Sequence, residues 1–190
     1  MKVGLFFGSF NPIHNGHLII AGYLAEFTDL DQVWLVVSPH NPHKLKRTLL
    51  QDHHRLAIVK IAIGDNRKIK ASDIEFKLEK PSYTVVTLTY LHEKFPEHQF
   101  ALILGSDNLE NFHKWKNYEQ ILEHNELYVY PRKGSSGGDL LSHPKVKLIE
   151  APMMELSSTF IRDAIKAKKD VRYMLPESAW HYIDEMNFYR

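Results

Sequence analysis

The segment Gly8-Ser9-Phe10-Asn11-Pro12-Ile13-His14-Asn15-Gly16-His17 holds the residues best suited to chemistry. An apolar run, Val3 to Phe7, ends at a glycine, a turn follows, and a helical pattern opens near Gly16. A helix start carries unpaired backbone N–H groups and the positive end of the helix dipole, so it attracts phosphate. His14 and His17 lie three apart across this start and can aim ring N–H donors at one anion. The segment has no Walker-type lysine and no G-x-G-x-x-G run, so imidazoles and backbone amides are what it offers. Two further readings of the pair stay open. It can be half of a metal site, although no adjacent Glu or Cys completes a usual ligand set, or it can cap the helix. Gly8-Ser9 also suits an ordinary turn.

Four further constellations accompany it. Ser157-Ser158-Thr159-Phe160-Ile161-Arg162 sets hydroxyls at a helix start, where they satisfy free amides. Arg162 lies in the first turn, where the dipole favours acids, which points to an anion nearby. A plain cap with a solvated arginine is the competing reading. Gly105-Ser106-Asp107 closes an apolar run, with Trp115 on the pattern that follows. Asp107 can cap a helix or bind ribose hydroxyls, and Trp115 can be core or a stacking platform. Pro42-His43-Lys44, with Lys46 and Arg47, reads as a solvated basic loop or a phosphate clamp. Pro81-Ser82-Tyr83-Thr84 opens a helix whose amides can take a carboxylate.

The elements that must position these residues alternate. Short apolar runs over 3–7, 33–37, 100–104, 127–130 and 146–149 read as strands, with one or two more within 68–78. Helical patterns cover about 16–27, 52–63, 82–95 and 108–122, and two more start near Ser158 and Pro176. Gly134-Ser135-Ser136-Gly137-Gly138 reads as a mobile surface loop. The alternation predicts an α/β fold: a Rossmann-like doubly wound parallel sheet with helices on both faces and a helical C-terminal part from about residue 157. Ligands in such sheets bind at the carboxyl ends of strands. That rule points to the loops after Phe7, Val37 and Leu104.

Composition bounds the function. The chain has 190 residues, matching one domain over 1–190, with 24 basic and 23 acidic side chains. A net charge of +1 argues against a nucleic-acid-coating protein. Cysteine is missing, which excludes disulfides, thiolate metal sites and a cysteine nucleophile. No run suits a signal peptide or a membrane span, so a soluble, cytoplasmic protein with no membrane partner is expected. Histidine is abundant, at 12. Apart from His14, His17, His43 and His40, the histidines show no ligand spacing and read mostly as surface positions.

At His14-Asn15-Gly16-His17 the sequence resembles the nucleotidyltransferase superfamily marked by His-x-Gly-His. Class I aminoacyl-tRNA synthetases share a related signature but carry a Lys-Met-Ser-Lys-Ser loop, so Ser157 to Arg162 fits the small adenylyltransferases better. All five constellations, in their order along nearly the whole chain, resemble the bacterial nicotinate-nucleotide adenylyltransferases. The family's common Gly-Gly-x-Phe-Asp-Pro reads Gly8-Ser9-Phe10-Asn11-Pro12 here, with Asn11 replacing the acid.

The resemblance implies adenylyl transfer from ATP to nicotinate mononucleotide in NAD biosynthesis. It implies catalytic roles for His14, His17 and Arg162: His17 on the α-phosphate, His14 beside it, and Arg162 with Ser158 and Thr159 on the β- and γ-phosphates. It extends the ATP site to Gly8, Ser9, Phe10, Gly16, Gly105, Asp107, Ser157 and Ile161. It assigns the mononucleotide to Lys44, Tyr83, Thr84, Trp115 and Arg132. Mg2+ would arrive on ATP oxygens, with no dedicated metal residues, and a homo-oligomer is compatible. A phosphopantetheine or cytidylyl transferase and a histidine-rich metal-binding protein are the alternatives.

Overall fold

The computed structural model describes residues 1–39 and 49–190. The basic loop that holds His40, His43, Lys44, Lys46 and Arg47 lies outside the described residues. Six strands form one parallel sheet: β1 (Lys2–Gly8), β2 (Gln32–Val37), β3 (Ile69–Ser72), β4 (Gln99–Gly105), β5 (Glu126–Tyr130) and β6 (Val146–Leu148), in the order β3-β2-β1-β4-β5-β6. Parallel strands need crossovers, and helices α1 (Asn15–Phe27), α2 (Asp52–Ile63), α3 (Thr84–Lys94), α4 (Ser106–Glu110) and α5 (Tyr118–His124) supply them. Helices α6 (Ser158–Lys166) and α7 (Glu177–Glu185) follow the last strand. The doubly wound expectation is met.

Successive strand side chains feed two cores. Phe6, Val33, Leu35, Ala101 and Ile103 pack with α1, α2, α6 and α7 on one face. Val3, Leu5, Leu102 and Leu104 pack under α3, α4 and α5 on the other. Burial on both faces explains why these strands read as continuous apolar runs. The chain winds from β1 out to β3, returns to β4 beside β1, and continues to β6. The winding reverses between β1 and β4, so the carboxyl ends Gly8 and Gly105 flank a crevice.

Several expectations need correction. The helix expected over 108–122 is broken into α4, a 3-10 turn (Phe112–Lys114) and α5. Trp115 is extended, with ψ 144°, and Asn117 takes φ 53°, a left-handed conformation that Asn tolerates better than most residues. Residues 68–78 do hold one of the one or two strands expected there, β3, followed by a 3-10 turn (Ile74–Lys77). The glycine-rich loop is held by Glu110, whose Oε1 accepts the N–H groups of Ser136 at 2.7 Å and Gly137 at 3.1 Å. His98 is not a surface filler: its ring stacks on Phe95 with centroids 5.5 Å apart. His92 likewise packs edge-on against Phe100.

Candidate active site

The turn after β1 is built around a buried aromatic ring. Phe10 is 1 % exposed and has φ 42°, unusual for a bulky residue and a sign of a turn whose shape is imposed by its surroundings. A side chain on Gly8 would meet that ring at 2.9 Å, so glycine is what lets the strand end lie against it. Phe10 stands edge-on to His17, with centroids 5.1 Å apart.

Three donors from distant elements hold the backbone carbonyls of this turn. Arg55, fully buried on α2, donates to Ser9 O and is paired with Asp52 at 2.6 Å. Arg162 Nη1 donates to Asn11 O at 2.8 Å, and the Ser158 hydroxyl donates to Pro12 O at 2.8 Å. The Asn11 side chain is held too: its Oδ1 accepts the Leu50 N–H at 3.1 Å and the Tyr189 hydroxyl at 2.9 Å. Asn11 therefore serves as a neutral structural acceptor.

His14 is the N-cap of α1, and its backbone N–H donates to His17 Nδ1 at 3.3 Å. That bond makes Nδ1 the acceptor and leaves the ring proton on Nε2, so neutral His17 is a hydrogen-bond donor. The two rings stack with centroids 3.7 Å apart, and Gly16 leaves room for the His14 ring. Burial, then the Arg132 charge, pushes the His14 pKa down to about 4. Burial, then His14 and Arg132, holds His17 well below the usual histidine range. Both rings are neutral at pH 7. His14 Nδ1 and Arg162 Nε are buried without a partner among the described residues, which is the condition of groups that meet a ligand.

On α6, Ser157 is a true N-cap: its Oγ accepts the Phe160 N–H at 3.1 Å. The cap reading therefore accounts for Ser157. The Thr159 hydroxyl accepts from Arg162 Nη2 at 3.2 Å, and Ile161 is fully buried. Ser158 and Arg162 thus hold the turn that leads into the histidine pair, and Gly16 lies against the His14 ring.

The end of β4 forms one side of the crevice. The Ser106 hydroxyl accepts the Arg132 N–H at 2.9 Å, and the Arg132 guanidinium lies 3.8 Å from Asp107 and over the Tyr130 ring. A side chain on Gly105 would meet Arg132 Cγ at 2.9 Å. Asp107, Tyr130 and Arg132, with Ile20, Met153 and Met154, line a cavity of about 510 Å3. Arg132 thus stands with Asp107 and not with the rest of its expected set.

That set gathers elsewhere. Tyr83, Thr84, Trp115 and Lys116 line a second cavity of about 350 Å3. Tyr83 precedes α3 and makes no side-chain cap, which leaves the first amides of the helix available. The Trp115 ring lies against Phe112, with centroids 4.9 Å apart, and Lys116 sits over the Tyr83 ring at 4.3 Å. Sequence reading missed Arg55, Tyr189, Met153 and Met154. Arg55 three residues after Asp52 reads as an exposed ion pair, and nothing local links Tyr189 to Asn11, 178 positions away.

Comparison with known proteins agrees with this geometry. The cytidylyltransferase-like family model matches residues 5–164. The probable nicotinate-nucleotide adenylyltransferase of Flavobacterium johnsoniae is 58 % identical, with 100 % of both chains covered. That of Bacteroides thetaiotaomicron is 46 % identical over 97 % of this chain and 92 % of its own. The solved structure of Plasmodium falciparum nicotinic acid mononucleotide adenylyltransferase complexed with NaAD shares the fold, with TM-score 0.82, 22 % identity, and 99 % of this chain and 97 % of that one covered. Sequence, fold and the histidine-bearing turn agree: the chain belongs to the cytidylyltransferase-like family and, within it, to the nicotinate-nucleotide adenylyltransferases.

Proposed function

We propose that this protein transfers the adenylyl group of ATP to nicotinate mononucleotide, acting as one nucleotidyltransferase domain over its 190 residues. A phosphate oxygen of the mononucleotide bonds to the α-phosphorus of ATP. The bond from that phosphorus to the bridging oxygen breaks, and pyrophosphate leaves with the electron pair. The products are nicotinate adenine dinucleotide and pyrophosphate. The nucleophile is already anionic at neutral pH, so the protein supplies position and charge stabilisation.

The observation that carries this reading is the buried, neutral histidine pair at the start of α1, on the turn that follows the carboxyl end of β1. His17 Nε2–H, fixed by the bond at Nδ1, donates to the α-phosphate as charge builds on its oxygens. A neutral donor here needs no prior deprotonation and does not trap the ground-state anion as an ion pair would. His14 steadies the adjacent phosphate, and Arg162 with Ser158 and Thr159 takes the β- and γ-phosphates. Asp107 faces the ribose of ATP in the cavity that Met153 and Met154 share. In the other cavity Trp115 stacks on the pyridine ring and the amides at Tyr83 and Thr84 take its carboxylate. Arg132 is close enough to bias both histidines, so it serves the phosphates from the Asp107 side of the site. Lys44 is assigned to the mononucleotide phosphate on resemblance alone.

The residues at the phosphates are nitrogen and hydroxyl donors, and no group of three or more metal-ligating side chains occurs among the described residues. Nitrogen and hydroxyl donors suit phosphate oxygens and not a hard cation, so Mg2+ would be held mainly by ATP oxygens and water and would neutralise phosphate charge there. No helix among the described residues is long and apolar enough to cross a membrane. The test is pyrophosphate release from ATP with each candidate acceptor. Release is expected with nicotinate mononucleotide, and release with phosphopantetheine alone refutes the reading.

A further inference from the structure

Glu75 is a buried carboxyl that the phosphate chemistry does not use. It lies in the 3-10 turn after β3 and is 3 % exposed. A carboxylate so placed is costly unless hydrogen-bonded, and three hydroxyls answer it. The Thr87 hydroxyl donates to Oε1 at 2.9 Å, and Ser38 and Ser82 lie around the same carboxyl, close enough that their hydroxyls favour its charged form.

These hydroxyls come from the end of β2 and from the start of α3. Ser38 follows β2, and its N–H donates to the carbonyl of Gly8 at 2.9 Å, where the histidine-bearing turn begins. Ser82 and Thr87 bracket Tyr83 and Thr84, and the Thr87 N–H bonds the Tyr83 carbonyl at 3.1 Å. Glu75 therefore grips the start of α3 on both sides of its open amides and ties it to the end of β2. It also borders the site: Glu75, Ser38, Lys80, Ser82 and Thr84 line a third cavity, of about 170 Å3, that shares Ser82 and Thr84 with the Trp115 cavity. Turned freely into this space, a second carboxylate would repel an acid substrate. The Thr87 hydroxyl instead holds the Glu75 carboxyl against the first turn of α3.

We propose that Glu75 is a positioning residue of the pyridine-carboxylate subsite, setting the Tyr83–Thr84 amides and so favouring the acid mononucleotide over its amide. This rests on the proposed function. The test compares wild type, Glu75→Ala, Glu75→Gln and Thr87→Val for kcat, for KM of ATP and nicotinate mononucleotide, and for kcat/KM with nicotinamide mononucleotide. Glu75→Ala should raise KM for nicotinate mononucleotide about tenfold, the effect expected when a hydrogen bond to a charged group is lost. KM for ATP should stay within about twofold, and the preference for acid over amide should narrow. Glu75→Gln keeps an acceptor for the hydroxyls and should restore most of the loss. Thr87→Val removes one donor and should show the same split at smaller size, which keeps the test open if Glu75→Ala does not fold. An unchanged KM for nicotinate mononucleotide in folded variants, equal rises in both KM values, or equal losses for acid and amide overturn the inference. A wild-type protein inert toward nicotinate mononucleotide overturns the proposed function as well, whereas an active wild type with indifferent variants refutes only the role of Glu75.

Discussion

The proton on His17 is fixed by a backbone atom. The N–H of His14 occupies Nδ1, so the ring offers Nε2–H as its donor and has no competing tautomer. Burial keeps both rings neutral, and this has a consequence for stability. The unfolded chain takes up protons at these histidines near pH 6.5, while native His14 waits until about 4 and His17 is held low too. Between those values the unfolded state binds more protons, so stability is full above about pH 6.5 and falls as pH drops toward 4. Urea midpoints measured from pH 7.5 down to 4.5 should fall, and the double variant His14→Gln/His17→Gln should show a shallower fall. An identical slope in both proteins contradicts the buried, neutral pair.

At the scale of elements, α6 is the strut of the site. Its Ser158 and Arg162 hold two successive carbonyls of the histidine-bearing turn, Pro12 and Asn11. Removing the Ser158 bond with Ser158→Ala should cost about 1 kcal/mol, and ATP affinity should fall about fivefold at nearly unchanged affinity for the mononucleotide; titration of ATP binding checks this. Elements were also where the sequence was most readable. β1, β2, β4 and β5 are buried on both faces, and such strands announce themselves as apolar runs. The break between α4 and α5 was not readable, because Leu109, Phe112 and Trp115 keep helical spacing while Asn117 leaves the helix. The histidine turn and the α6 cap were legible as local patterns. Arg55, Glu75 and Tyr189 were not, because each acts on a residue far along the chain and their burial depends on how α2, α3 and α7 close on the sheet.

The whole molecule separates stability from chemistry along the sheet. The crevice occupies the carboxyl ends of β1 and β4. The opposite ends carry a charged cluster: Lys2, the first residue of β1, bridges Asp29 and Glu126, and Lys147 joins the same acids. At its centre the Tyr128 hydroxyl donates to Asp29, with Lys147 Nζ 3.2 Å away. Tyr128 is 1 % exposed, so Tyr128→Phe should lower unfolding free energy by about 1–2 kcal/mol. Its kcat should match wild type, and a lowered kcat at full folding would show that the two ends of the sheet are coupled. The strand ends flanking the reversal between β1 and β4 bring together a turn from residues 8–17, a helix start near 84 and another near 158. The central claim is that neutral His17 stabilises charge on the α-phosphate during transfer to nicotinate mononucleotide. The most direct measurement is kcat of His17→Ala with ATP and nicotinate mononucleotide, on protein shown to fold like wild type. A fall of about 10²–10³, with a much smaller change in KM for ATP, is predicted. A near-normal kcat contradicts the account.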